Sequence, residues 1–261
     1  MNTGEFEIVV YEKGVYGKRN DRLAIEAPLE VRVNGIVKFV CMRMPGMDRE
    51  LAAGLCFNSG LAESPSDIKS VSVIDENKVD VDADVTGDSG AEEIRIIRSS
   101  SGIIPGRKSS GTEEGDGYGK EPLFRGELLF KLQDDFFSRQ KVFDSTGATH
   151  GAALYDKSGV FLVFAEDVGR HNALDKCTGH LILNGTYGEG FFCILSSRLS
   201  YEMVIKGIRA GSSVIAGVSA PTSLAVNMAR ESGITMAGFV RRNRFNIYSG
   251  AWRINKDSSG L

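Results

Sequence analysis

Four short polar segments interrupt an otherwise apolar pattern in the second half of the chain. They are residues 146–151 (TGATHG), 166–172 (EDVGRHN), 196–200 (SSRLS) and 239–244 (FVRRNR). Each of the last three directly follows an apolar run of the kind that forms a buried strand. In an open α/β sheet, ligands bind at the carboxyl ends of the strands, so we expect these segments to meet in one crevice.

The residue types in this predicted crevice favour an anionic ligand. Ser197 and Ser200 precede a predicted helix, whose free N–H groups and positive dipole end can bind phosphate. Ser219, with Pro221 in the first helical turn, offers a second helix start of the same kind. Bidentate donors suited to phosphate or pyrophosphate oxygens come from Arg198, Arg241, Arg242 and Arg244. The residues alone therefore predict a nucleotide or another phosphorylated cofactor.

Each of these signals also has a structural interpretation. A serine before a helix often only caps it, and residues 241–244 could be a solvated surface run. Asp167 could pair with Arg170 to order a turn, and His171 could bond to Asp167 or to the backbone. The coincidence of three segments at corresponding strand ends is what favours a functional site.

The four cysteines of the chain lie far apart in the sequence, at Cys41, Cys56, Cys177 and Cys193. None forms a C-x-x-C pair, so neither a disulfide framework nor a metal site is expected. Each has apolar neighbours, which is typical of a small buried hydrophobic residue.

Composition narrows the class of protein. The 261 residues are 42% hydrophobic and 25% charged, as in a globular protein with one large or two modest domains. The net charge of −3 provides no overall basic field for nucleic acid or an anionic membrane. No stretch approaches the roughly 18 uncharged apolar residues of a membrane helix, and the first residues lack a signal-peptide pattern. We therefore expect a cytoplasmic protein that binds neither nucleic acid nor membrane.

The elements that must position the polar segments can be predicted in outline. Asn34-Gly35 between two apolar runs indicates a β-hairpin, and Asp48 is the expected N-cap of a helix that follows it. We interpret residues 80–84 (DVDAD) as a solvated turn and residues 123–140 as an amphipathic helix. Strands and helices then alternate from residue 160 onwards, which predicts a layered α/β domain with a largely parallel sheet.

This pattern divides the chain into three parts. Residues 1–98 form a β-rich part with one helix, and residues 122–261 form the α/β domain that carries the predicted site. Between them, residues 99–121 are rich in serine and glycine and are expected to form a loop.

The polar segments also resemble a known family. Residues 166–176 (EDVGRHNALDK) resemble the E-D-x-G-R-H-N-A-x-D-K signature of the FdhD family. Residues 200–206 and 219–226 are similar to two further blocks of that family, and so are the early residues 28–35 and residues 146–150. The resemblance covers roughly residues 26–60 and 145–250, which is most of the chain.

The resemblance implies a fold like that of cytidine deaminases and a role in the maturation of formate dehydrogenase. Family members pass sulfur from a cysteine desulfurase to the bis-molybdopterin guanine dinucleotide form of the molybdenum cofactor, for which a guanine nucleotide is a surrogate. The partners implied are a cysteine desulfurase, the formate dehydrogenase apoprotein and, because the ligand has two similar halves, a second copy in a homodimer.

The resemblance also implies which residues bind the cofactor. The family's cofactor-binding stretch falls on Phe239, Val240, Arg241, Arg242, Asn243 and Arg244. The other polar segments add a second set of candidates, namely Ser197, Arg198, Arg170, His171 and His150.

The sequence departs from the family where sulfur would be carried. In the family a mobile loop carries C-G-x-C, whose first cysteine holds the sulfur as a persulfide. Here residues 99–107 read SSSGIIPGR, with Ser101 at the first cysteine position and Ile104 or Pro105 at the second. A serine hydroxyl cannot replace the thiolate that sulfur transfer requires. Another thiol such as Cys177 could serve, or the chain could be a cofactor chaperone that transfers no sulfur. No catalytic residue is therefore assigned.

Overall fold

The computed structural model describes residues 2–85, the backbone of residues 95–97, and residues 124–255. The serine- and glycine-rich segment of residues 99–121, and with it Ser101, lies outside the described residues.

The described part of the first 97 residues contributes a hairpin, a five-stranded sheet, one α-helix and a short 3-10 helix (Pro65–Asp67). Strands β1 (Thr3–Glu12) and β2 (Val15–Ala24) form a separate antiparallel hairpin. The sheet has the order β5-β6-β3-β4-β7. Its strands, and the helix that packs on it, are β3 (Ala27–Val33), β4 (Ile36–Arg43), α1 (Asp48–Asn58), β5 (Ile68–Asp75), β6 (Lys78–Ala83) and β7 (Arg95–Ile97).

The rest of the described chain is built around a six-stranded sheet of order β10-β9-β11-β12-β13-β14. A short parallel pair, β8 with β15, flanks this sheet. The elements in chain order are β8 (Phe124–Arg125), α2 (Glu127–Arg139), α3 (Lys141–Thr146), β9 (His150–Tyr155), β10 (Phe161–Asp167), α4 (Arg170–Leu183), β11 (Phe191–Leu195), α5 (Tyr201–Arg209), β12 (Ser212–Gly217), α6 (Ser223–Glu231), β13 (Thr235–Arg241), β14 (Arg244–Ser249) and β15 (Ile254–Asn255).

Apolar side chains cover both faces of the six-stranded sheet. On one face Leu154, Cys193 and Ile215 pack with residues of α4, α5 and α6. On the other face Ile194 and Ala216 pack with residues of α2. Burial on both faces favours strands that are apolar throughout, which is the pattern of β11 and, after Ser212 and Ser213, of β12. The predicted mixed α/β architecture of layered sheet and helices is thus confirmed.

The structure corrects the predicted parallel sheet. Only two of the five strand pairings in the six-stranded sheet are parallel, β11 with β12 and β12 with β13. The β9, β10 and β14 pairings are antiparallel. Alternation of strands and helices does not reveal them, because β9 joins β10 through a tight turn without a helix.

Three local predictions were also wrong. Residues 80–83 belong to β6, because its alternating pattern buries Val79, Val81 and Ala83 and points the aspartates outwards. The predicted helix from residue 123 begins only at Glu127, after β8. Asp48 is the first residue of α1 and not its N-cap, because its carboxylate binds the buried guanidinium of Arg43.

Helices α1 and α4 join the two parts of the chain at a backbone contact. Gly54 of α1 lies against the carbonyl of Asp175, and Gly179 of α4 lies against the carbonyl of Glu50. A Cβ at either glycine would overlap that carbonyl oxygen, so only glycine allows the helices to approach this closely. Among the described residues, no helix is long and apolar enough to cross a membrane.

We expect Gly54→Ala to lower the free energy of unfolding by about 1–3 kcal/mol or more, because the added methyl group forces the two helices apart. Gly17→Ala in β2 is the matched control, since a Cβ there meets nothing within 4 Å. Urea denaturation of the two variants makes the measurement, and equal stability would show that the helix contact relaxes freely.

Candidate functional site

All four polar segments lie at one edge of the six-stranded sheet. Because β9 is antiparallel to both β10 and β11, strands β10 to β13 run in one direction and end at the same edge. Strands β9 and β14 run the opposite way and begin there. In this register His150 at the start of β9 is paired with Asp167 at the end of β10.

Each loop at this edge contacts the loop or strand end of the neighbouring strand in the sheet. Ser196, after β11, donates its N–H to the carbonyl of Gly151 at 3.1 Å. Its Oγ accepts the N–H of Gly151 at 2.9 Å and lies 3.3 Å from Nδ1 of His150. This hydroxyl therefore ties the loop after β11 to the first residues of β9.

The loops after β11, β12 and β13 are joined in the same way. The N–H of Leu199 donates to the carbonyl of Ala220 at 3.1 Å, and Thr222 donates back to Leu199 at 3.1 Å. The N–H of Phe239 donates to the carbonyl of Ser219 at 3.2 Å. The predicted convergence of the strand-end segments on one edge is thus present in the structure.

Asp167 of the signature segment is a structural residue. Its fully buried carboxylate accepts the N–H groups of Met44 at 3.1 Å and Gly169 at 2.9 Å, and it binds Asn172 Nδ2 at 2.9 Å. Lys176 Nζ lies 2.7 Å away. A buried charge is tolerated when it is paired and fully hydrogen-bonded. The ion pair suggested with Arg170 is not formed.

A second buried ion pair continues this network. Lys206 of α5 binds the carboxylate of Asp175 at 2.5 Å, and Asn58 of α1 donates to the same carboxylate at 2.7 Å. Most of the signature segment therefore ties α1, α4 and α5 together. Arg170 and His171 take no part in these two buried ion pairs.

His171 lies in a group of charged and polar side chains. It is buried, and its Nε2 lies 3.1 Å from a carboxylate oxygen of Glu202, outside hydrogen-bonding geometry. Burial, followed by the positive charges of Lys206 and Arg170, lowers the pKa of His171 to about 3. Burial and Arg170 also lower the pKa of His150. Both imidazoles are therefore neutral near pH 7.

Three polar atoms near the starts of α4 and α5 are buried without a hydrogen-bond partner. They are Nε of Arg170 and Nε2 of His171 in the first turn of α4, and Oγ of Ser200 directly before α5. Unsatisfied buried donors are uncommon in folded proteins, and each has a physical reason such as strain, a functional role or an ordered water or ion. Ser197 differs, because its Oγ donates to the carbonyl of Arg198 at 3.1 Å.

The candidate arginines are exposed. Arg198, Arg241, Arg242 and Arg244 all face solvent, and none lies within 4.0 Å of a described carboxylate. Phe239 has a φ of 51°, and this left-handed residue bulges the chain between Gly238 and Arg241. Val240 is buried, and its carbonyl accepts a hydrogen bond from Gln133 of α2.

A cleft of about 300 Å³ opens at the same edge, on the α2 side of the sheet. Of the predicted site residues, His150 alone is among those that line it. The lining residues are Phe137, Gln140, Phe143, Gly147, Ala148, Thr149, His150, Ser196 and Val218.

Every thiol of the chain is buried in the described structure. Burial raises the pKa of Cys41, Cys56 and Cys193 to about 12. The pKa of Cys177 is also raised by burial, and its Sγ donates to the carbonyl of Ala152 at 3.2 Å. A sulfur acceptor must be an accessible thiolate, so none of the four is suited to that role. Among the described residues, no group of three or more histidine, cysteine or acidic side chains could hold a metal ion.

Fold and site together define a mixed α/β protein with arginines and unsatisfied donors gathered at the carboxyl edge of one sheet. The sequence profile of the FdhD/NarQ family matches residues 24–255. The chain belongs to this family.

Relatives and a solved structure agree with this assignment. The chain is 39% identical over 239 residues to the sulfur carrier protein FdhD of Sulfurisphaera tokodaii, covering 90% of this chain and 92% of the relative. It is 36% identical to that of Corynebacterium efficiens, covering 89% and 90%. A crystal structure from Desulfotalea psychrophila, described as a formate dehydrogenase accessory protein, has a TM-score of 0.81 and 26% identity, covering 98% of this chain and all of that one.

The sequence did not indicate three residues that shape the site. Glu202 lies in the first turn of α5 and approaches His171 only because α4 and α5 pack together. Phe137 fell within the amphipathic helix predicted for residues 123–140, and Phe143 fell outside every predicted element. The position of Ser196 in the site could be expected from the sequence, because Ser196 begins the polar segment that follows β11.

The low pKa of His171 predicts that the folded protein loses stability as the pH is lowered. The pKa of histidine is about 6.5 in an unfolded chain and about 3 here. Between these values the unfolded state binds more protons, so stability falls as the pH is lowered, by up to about 1.4 kcal/mol per pH unit for this group. His171→Gln should flatten the fall in unfolding free energy between pH 7 and pH 5. Denaturant titrations across this range test it, with His180→Gln as control; equal slopes for wild type and His171→Gln would contradict it.

Proposed function

We propose that this chain is an accessory protein for formate dehydrogenase maturation that binds the bis-molybdopterin guanine dinucleotide cofactor at the carboxyl edge of its six-stranded sheet. The observation that carries the proposal is the row of joined loops after β11, β12 and β13, which combines exposed arginines with unsatisfied donors beside the starts of α4 and α5. The name of the structural neighbour and the names of the relatives supply the physiological context.

The chemistry of this edge suits a pyrophosphate. Helix starts present free N–H groups and a positive dipole end to an anion. Guanidinium groups add bidentate hydrogen bonds, and four of them here have no described carboxylate to neutralise them. Residues 239–244 and Arg198 would contact the phosphates, with Arg170 and Ser200 at the helix starts.

We further propose that the chain binds and delivers the cofactor without carrying sulfur on its own cysteines. Its four thiols are all buried, and burial holds their pKa values high. Sulfur would then come from the thiol of another protein, such as a cysteine-bearing relative or the desulfurase itself. A second copy of the chain in a homodimer, in the cytoplasm, would give the two guanine halves of the cofactor equivalent sites.

The second candidate is a sulfurtransferase that uses its own thiol, as the name "sulfur carrier protein" of the relatives suggests. It requires one of the four buried cysteines to become exposed. The two candidates therefore differ in one observable, which is the formation of a persulfide on this chain.

Replacing Arg241 and Arg244 together with alanine should weaken GDP binding at least about tenfold, which corresponds to about 1.4 kcal/mol. The loss should shrink at high salt, because exposed charges are screened. Calorimetric titration with GDP makes the measurement. The matched control replaces Arg19 and Arg49, which are exposed but lie in β2 and α1; a double variant at 241 and 244 that binds like wild type would place the phosphate site elsewhere.

Incubation with a cysteine desulfurase and cysteine should leave the mass of the folded chain unchanged, because no thiol is accessible to accept sulfur. Ser101→Cys, which restores the first cysteine of the family's loop, is the positive control and should gain the mass of one sulfur atom. Intact-mass spectrometry distinguishes the two. A persulfide on the wild-type chain would favour the sulfurtransferase.

A further inference from the structure

We propose that the cleft beside His150 binds a planar bicyclic nitrogen heterocycle, the guanine or pterin ring of the ligand, stacked against Phe137 and Phe143. The inference rests on the proposed function for the rest of the ligand, and it assigns to the rings a site separate from residues 239–244.

The size of the cleft restricts what enters it. Its volume of about 300 Å³ is at the lower end of the range for small-molecule sites. A single bicyclic ring fits such a space, whereas a whole dinucleotide does not. The remainder of the ligand must continue along the sheet edge, and Ser196 in the cleft directly precedes Ser197 and Arg198 at that edge.

Two phenyl rings expose apolar surface at this cleft. Phe137 at the end of α2 is 43% exposed and Phe143 of α3 is 44% exposed. Both belong to the lining of the cleft, as does Val218 on the neighbouring loop. Stacking on a flat aromatic ring removes this surface from water and is a common way to bind a base.

The polar end of the cleft matches the edge of such a ring. Nδ1 of His150 lies 3.3 Å from Oγ of Ser196. A neutral imidazole has one donor and one acceptor, and a hydroxyl has both. Guanine and pterin present alternating donors and acceptors along the edge of the ring, so this pair can satisfy either. A purely apolar ligand would leave the remaining hydrogen-bonding capacity of these two groups unused.

A buried carboxylate holds the aromatic wall in place. Glu166 accepts the N–H groups of Val142 at 2.9 Å and Phe143 at 2.8 Å, and the hydroxyl of Thr149 at 2.8 Å. These contacts anchor the start of the six-residue helix α3, which is too short to be stable on its own. Glu166 is thus a positioning residue for Phe143 and Thr149, and the cleft is preorganised.

The test compares four probes by calorimetric titration: guanosine and a free pterin, which carry a ring without phosphate, pyrophosphate, which has no ring, and GDP, which has both. We expect wild type to bind at least one of the two ring probes. Phe137→Ala and Phe143→Ala should each weaken that binding about fivefold to a hundredfold, the range for loss of one stacking aromatic. The affinity for pyrophosphate should not change.

Two further variants keep the result interpretable. Phe6→Ala in β1 is the matched control, since that ring is 46% exposed and lies outside the cleft. Phe143→Leu is the alternative variant if Phe143→Ala destabilises α3. It keeps apolar bulk but removes the aromatic ring, so it should also bind the ring probe more weakly. Melting temperatures establish that each variant is folded.

Each outcome separates this inference from the proposed function. Failure of wild type to bind either guanosine or pterin overturns the ring site, and so does unchanged affinity in Phe137→Ala and Phe143→Ala. If GDP still binds in that case and requires Arg241 and Arg244, the proposed function survives. If pyrophosphate and GDP do not bind but a ring probe does through Phe137, the ring site stands and the proposed function fails.

Discussion

The buried carboxylate of Asp167 is the constraint on which the rest of the structure depends. It receives donors from the chain after β4, from the turn into α4 and from Lys176 within α4. Removing one partner of such a pair leaves an uncompensated buried charge and costs about 3–5 kcal/mol. The pair therefore fixes the N-terminal sheet, the end of β10 and the start of α4 in one arrangement. The glycine contact between α1 and α4 completes it, since the two helices meet only at that spacing.

This network explains why a single segment contains both residues that tie helices together and residues that face the candidate site. Asp167, Asp175 and Lys176 point into the interior, and their charges are neutralised there. Arg170 and His171 belong to the same helix start but turn towards the sheet edge, where Glu202 and His150 meet them. A rigid frame behind the edge allows buried donors there to stay unsatisfied, because the backbone cannot rearrange to pair them.

The sequence predicted the elements better than it predicted their connections. The Asn34-Gly35 turn, β11 and α5 follow from local patterns and were correctly placed, as was the gathering of strand-end segments at one edge. The antiparallel pairings of β9 and β14 depend on contacts distant in sequence, which local patterns do not encode. The cleft escaped prediction for the same reason. Its walls come from α2, α3 and three separate loops. Phe137 and Phe143 are exposed there only because Glu166 anchors α3 in its position.

Cofactor binding and sulfur transfer make different demands on a protein, and this chain satisfies them unequally. Binding needs donors and aromatic surface held at an edge, which residues far apart in the sequence supply here. Sulfur transfer needs one accessible thiolate of lowered pKa. All four thiols instead lie in apolar surroundings that raise their pKa, and the S–H of Cys177 donates a hydrogen bond to the carbonyl of Ala152. Because ligand binding and sulfur transfer depend on different atoms, the absence of an accessible thiol does not alter the donors at the sheet edge. This separation is the physical basis for the proposal that the chain holds the cofactor while another protein supplies the sulfur.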